Sequence, residues 1–253
     1  MWEYNYSLLP DYLEHHGILG MRWGVRRYQN KDGTLTAKGR KRLGLEDYDK
    51  AHGEDFVVKK GTKASRVVTT NGYYDTEDTY GKKAAEKFVK DALAKDKKLE
   101  TKYVSVDNVR NSGRKNGKDF YLSWFSGEGY DPEHAQLTMY QLKNDIKVAS
   151  GKQVVDAVMS EIGQKKVKEI FKQKKDFKDV SMEYTTNKDL FNRVNQRFKD
   201  KGYDAVEDIN DPDTDMPLIV FNTVKNFGNP TSVTRGEKAV REVFERYGYK
   251  VTY

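Results

Sequence analysis

Residues 137–171, LTMYQLKNDIKVASGKQVVDAVMSEIGQKKVKEIF, decide the fold class because their apolar period changes midway. Leu137 to Leu142 alternate well enough for a strand, and Ile146-Lys147-Val148 reads as another. From Val154 the spacing turns helical. Val154, Val155, Val158, Met159, Ile162, Val167, Ile170 and Phe171 fall on one stripe, broken or bent near Gly163. Strand and helix in one run imply an α+β body.

Upstream, a body begins near Gly53. Phe56-Val57-Val58 and Arg66 to Thr69 read as short strands, as do Tyr103 to Val106 and Phe120 to Phe125, and Gly81 to Leu99 reads as a helix. Downstream, Leu190, Val194 and Phe198 mark a helix ending at Lys201-Gly202, a favourable C-cap. The last strand is Leu218 to Phe221, entered through Pro217, where a missing N–H is tolerated. This body spans residues 53–225. A tail, 226–253, carries one further amphipathic helix through Ala239, Val240, Val243 and Phe244. The expected architecture is two small, strongly bent mixed sheets packed against helices.

The chain has 253 residues and no cysteine, which excludes disulfides, thiolate-ligated metal sites and a cysteine nucleophile. Its longest apolar runs are far short of a membrane span, and its start lacks the order of a secretory signal, so a soluble protein is expected. The net charge of +7 is local: residues 22–42 hold eight basic side chains and one acidic, and the remainder is balanced. Residues 1–45 are also dense in glycine, at positions 17, 20, 24, 33, 39 and 44, which opposes stable helix. The expectation is a flexible basic arm governing localisation and partners, not folding, with one short helix from Ala37 to Leu43 capped by Thr36.

Familiar chemistry is scarce. His15, His16, His52 and His134 have no metal-ligand spacing and read as surface or capping histidines, so no metal is expected. Asp211, Asp213 and Asp215 imitate the start of a calcium loop, but Met216 and Asn222 stand where glycine and a bidentate Glu are needed. The acidic stretch 204–215 reads either as a solvated loop or as the seat of an active carboxylate, Glu207 or Asp208, suited to stabilising a developing oxocarbenium ion. Seven lysines between Lys165 and Lys178 read as a solvated helix face. Neither a P-loop, a dinucleotide G-x-G-x-x-G nor a nucleophile elbow occurs.

Two resemblances add to this. The segment His15-His16-Gly17-Ile18-Leu19-Gly20-Met21-Arg22-Trp23-Gly24-Val25-Arg26-Arg27-Tyr28-Gln29-Asn30, continuing to Gly39-Arg40, resembles a short module of virion and head-associated proteins of tailed bacteriophages. The body is similar to phage-encoded proteins with an ADP-ribosyltransferase-like fold, through Val57-Val58-Lys59-Lys60-Gly61-Thr62, Tyr103-Val104-Ser105, and Gly202-Tyr203-Asp204-Ala205-Val206 leading to Pro217-Leu218-Ile219-Val220-Phe221-Asn222. That resemblance implies NAD as cofactor. It gives catalytic roles to Glu207 and Ser105, and cofactor contacts to Lys60, standing where the family has Arg, and to Gly61, Arg66 and Tyr103. The family's paired-glutamate motif is absent.

The module is a glycine-hinged basic peptide in which Trp23, Arg26, Arg27 and Tyr28 are the expected partner contacts. The expected partner is a phage capsid or other virion protein, with DNA as the alternative through the basic arm and no membrane. Localisation follows as the virion, and the host cytoplasm after synthesis or injection. Three functions follow: a virion cargo or head accessory with a degenerate transferase-like domain, an active NAD-dependent ADP-ribosyltransferase modifying a host protein, or a nucleic-acid-binding packaging factor.

Overall fold

The computed structural model describes residues 27–68, 73–106, 119–121, 136–209, 217–236, 238, 241–242 and 250–252. The chain is a mixture of helices and one curled mixed sheet, an α+β fold. Thr36 is extended and its hydroxyl accepts the Gly39 amide at 3.1 Å, which starts α1 (Ala37–Arg42). Helix α2 (Glu46–Ala51) follows, then β1 (Phe56–Val58) and β2 (Lys63–Val68). Helices α3 (Tyr73–Tyr80) and α4 (Lys82–Lys97) are separated by Gly81 at φ 84, a left-handed turn that glycine adopts without strain. Next come β3 (Lys102–Val106), β4 (Asp119–Tyr121), β5 (Gln136–Gln141) and β6 (Ile146–Ala149).

The helical stripe breaks as expected at Gly163, at φ 76, into α5 (Gly151–Glu161) and α6 (Gly163–Lys172). An unanticipated helix, α7 (Phe177–Thr186), opens with a reciprocal capping box between Asp176 and Asp179. Helix α8 (Lys188–Asp200) is followed by β7 (Ala205–Glu207), β8 (Pro217–Val220), α9 (Thr223–Asn226), β9 (Ser232–Arg235) and β10 (Lys250–Thr252). The expected strand past Tyr121 and the tail positions 239, 240, 243 and 244 lie outside the described residues.

The main sheet has the order β1-β6-β7-β8-β3-β2-β5-β9, with β6 and β7 parallel and its other neighbouring strands antiparallel. Strands β1 and β2 stand five places apart in this order, yet Lys63 follows Val58 by five residues; the same holds for β5 and β6, from Gln141 to Ile146. Laid flat, five strand spacings come to roughly 24 Å, while five residue steps reach at most about 17 Å. The sheet must therefore fold back on itself. Its two links hydrogen-bond to each other, Gly61 N to Leu142 O at 2.9 Å and Leu142 N to Thr62 O at 3.0 Å.

The curl creates two cores. Inside it, strand residues such as Val58, Val104, Tyr140, Val148 and Leu218 meet one another, with Phe227 added. On the other face Ala149, Val206 and Ile219 pack beneath helices through Val154, Val158, Leu190 and Phe198. The expectation of two small sheets is corrected here: β8 pairs with both β7 and β3 and stitches the halves into one. A separate parallel pair, β4 with β10, stands apart from it. The tail is likewise not all appendage, because β9 extends the sheet along β5.

Residues 27–45 differ most from expectation. Leu35, Leu43 and Leu45 are 5%, 2% and 0% exposed within the helix-side core, and Tyr28 stacks on Phe171 at 4.4 Å. Gln29 donates to the Met159 carbonyl at 3.0 Å. Arg40, expected to be a free basic charge, is buried and bridges Asp49 and Asp156, each at 2.5 Å. This part of the presumed arm is integral to the body. Truncating Leu45 to Ala should cost about 2–5 kcal/mol of unfolding free energy by denaturant titration. Removing residues 1–45 should abolish the cooperative transition; a deletion that melts like the full chain contradicts this packing.

Candidate functional site

Parallel pairing of β6 with β7 sets Ala149 beside Val206, so the chain leaving β6 enters α5 next to Glu207, the last residue of β7. Ser150 caps α5 with its hydroxyl, which accepts the Gln153 amide at 3.4 Å. Glu207 is 1% exposed. The Gly151 amide donates to its Oε2, and His52 Nδ1 lies 3.3 Å from its Oε1. A carboxylate at a helix N-terminus is favoured by the unpaired amides and the helix dipole.

Helix α2 supplies the cover. Tyr48 and His52, one turn apart, stack with ring centroids 4.4 Å apart, and Tyr48 also meets Phe177 at 4.7 Å. A Cβ at Gly151 would collide with the Tyr48 hydroxyl and stand 3.1 Å from Glu207 Oε2, so glycine alone permits this approach.

A second carboxylate shares the helix end. Asp55 accepts from the Ser150 amide at 3.0 Å, Gln153 Nε2 at 2.7 Å and the Tyr203 hydroxyl at 2.5 Å. Burial acts to raise its pKa, but the hydrogen bonds from Tyr203, Ser150 and Gln153 and the Lys147 charge outweigh it and hold the carboxyl below its ordinary range. Tyr203 moves the opposite way, raised by burial and then by its bond to Asp55.

The other sequence-derived residues lie elsewhere. Lys60 and Gly61 form the β1–β2 link: the Lys60 amide donates to Asp145 Oδ1 at 2.8 Å, and the Gly61 carbonyl accepts Gln141 Nε2 at 3.1 Å. Arg66 gives Nε and Nη2 to Asp96 Oδ1 at 2.8 and 2.5 Å and Nη1 to the Tyr103 carbonyl at 2.8 Å. Buried Lys102 joins this network 3.7 Å from Asp96; burial lowers its pKa, Asp96 opposes that and Arg66 adds to it.

Tyr103 and Ser105 alternate away from the buried Lys102, Val104 and Val106. Tyr103 stacks on Phe191 at 6.0 Å, and its hydroxyl pKa is pushed up by burial and then by the Asp208 charge. Ser105 pairs with Ser65 and Pro217, while Glu207 pairs with Leu218. Their backbones are thus two strands apart, about 10 Å, whereas Arg66 and Tyr103, both expected cofactor contacts, do touch. Of the expected partner contacts, Arg27 sits over the Tyr28 ring at 5.1 Å, and Trp23 and Arg26 lie outside the described residues. The calcium-like Asp211, Asp213 and Asp215 lie outside them too. Among the described residues no group of three or more ligating side chains is arranged for a metal ion.

His52 escaped the sequence reading, since it lies 155 residues from Glu207 and no local motif joins them. Asp55 supplies the pH signature of the site. Its folded pKa is depressed, so its contribution is present above the unfolded value of 3.8 and is lost as pH falls through the folded value. The stability gap between wild type and Asp55→Asn should therefore be open at about pH 6 and close progressively below about pH 4, read from denaturant midpoints; a gap that widens on acidification has the wrong sign. Gly151→Ala should destabilise by about 1–3 kcal/mol through overpacking.

A family model described as a family of unknown function, DUF7211, matches residues 7–30, which overlaps the glycine-hinged module over 15–30. No curated protein and no solved structure matches the chain.

Proposed function

We propose that this chain is a virion-associated protein of a tailed bacteriophage, cargo or head accessory, in which an N-terminal docking module leads into an ADP-ribosyltransferase-like body that is catalytically silent as folded. The phage assignment rests on the resemblance of the 15–40 segment. Residues 15–30 of that segment fall within the 7–30 family match. The silent state rests on one observation: the Glu207 carboxylate is 1% exposed, with Gly151 on one oxygen and His52 beside the other. Arg66 points the same way, because Asp96 and the Tyr103 carbonyl take three of its five N–H donors and its side chain is only 15% exposed. Glu207 as placed does not offer NAD an open carboxylate.

Two experiments test this. Mass spectrometry of purified particles should find the chain in the virion; its consistent absence removes the assignment. Labelled NAD with host lysate should give no transfer, whereas transfer abolished by Glu207→Gln establishes the active enzyme instead. The nucleic-acid reading predicts a log–log salt slope of about −0.9 per phosphate neutralised. Arg40, buried in its ion pairs, is not available to such binding. A protein partner held by Trp23 should survive high salt and lose about 2 kcal/mol on Trp23→Ala.

A further inference from the structure

Glu207 is closed off by a helix that contributes no buried residue of its own, and we propose that α2 is a hinged lid over this carboxylate, latched by the Arg40–Asp49 ion pair. The proposal rests on reading Glu207 as the functional carboxylate of the body.

The chain on either side of α2 is buried and α2 itself is not, although Tyr48 rests against the core. Leu43 and Leu45 before it are 2% and 0% exposed, and Val58 after it is 3% exposed, whereas none of Glu46 to Ala51 is buried. Six residues with no side-chain cap at the N-terminus make a helix far below the length that holds by itself in water. Gly44, at φ 73 with no atom within 4 Å of where a Cβ would stand, lies between the anchored Leu43 and Leu45 and turns the chain from α1 toward α2, so the lid can move only beyond Leu45. Gly53, at the exit, sits against the Asp49 carbonyl in a space no Cβ could share.

The underside of the lid carries the contacts to Glu207. Tyr48 and His52 project one turn apart and stack, His52 reaching Oε1 and the Tyr48 hydroxyl meeting Gly151. The latch is built so that opening strands no charge: when Asp49 leaves, Arg40 keeps Asp156 at 2.5 Å. Glu207 likewise keeps the Gly151 amide on Oε2, so an opened lid takes the His52 contact away from Oε1 while α5 still aims the carboxylate. A backbone bond joins the lid to α5, from the Lys152 amide to the His52 carbonyl at 3.0 Å, while the Val154 amide bonds within the helix start to the Ser150 carbonyl at 3.1 Å.

Residue-resolved hydrogen exchange on the full chain tests this. The amides of Asp49 and His52 should exchange at least about 100-fold faster than those of Arg40 and Val154, by local opening. The Lys152 amide, although in α5, should exchange with the lid. Asp49→Asn should speed the lid set and Lys152 about tenfold while Arg40 and Val154 hold their rates. If Lys152 exchanges with Val154 in the wild type, or if Asp49→Asn accelerates every amide equally, α2 belongs to the global folding unit and the lid is refuted. Labelled NAD offered to Asp49→Asn separates the two ideas: a lid that opens by exchange over a body that leaves NAD intact overturns the role of Glu207 and leaves the lid standing.

Discussion

Two four-residue links govern this molecule, because each ties strands that stand five places apart in the sheet. Chain length forbids a flat sheet, and the curl that results gives the inner strand faces each other as partners. The outer face is then free for α5 to α8. Glu207 sits where β6 and β7 end and α5 begins, so its burial follows from the parallel pairing of those strands. Nothing about the site is separable from that topology.

Much of the body was legible. The change of period across 137–171, the break at Gly163, the Thr36 cap and the helix end at Lys201-Gly202 all rest on local chemistry and appear in the structure. Long-range pairing was not legible. Strand β9 reads as four mostly exposed residues, SVTR, because an edge strand needs backbone partners more than apolar side chains. Helix α7 buries Val180 and Tyr184 but little else apolar, too thin a stripe to see.

The basic segment shows how one residue type carries two meanings. Its glycines argued for flexibility, yet a Cβ at Gly39 would strike the Tyr28 carbonyl and one at Gly33 would strike Ser160. Those glycines allow close approach of packed backbone. Leu35, Leu43 and Leu45, spaced by eight and two, form no period that would have announced a core. Glu207 could be singled out as an acidic residue near a strand, but its neighbours His52 and Tyr48 come from a helix that only the tertiary fold brings near. Arg66 entered as a cofactor contact only through the family resemblance, and its partner Asp96, on α4, was not visible in any motif.

The burial of the early leucines has a consequence for the order of synthesis. Leu35, Leu43 and Leu45 leave the ribosome well before the α5–α8 surfaces against which they pack, ending near Asp200. At roughly 5–20 residues per second, the intervening chain takes on the order of ten to thirty seconds to appear. Throughout that interval the leading segment has no core to join, and the module at its front is presented to other molecules before the body exists.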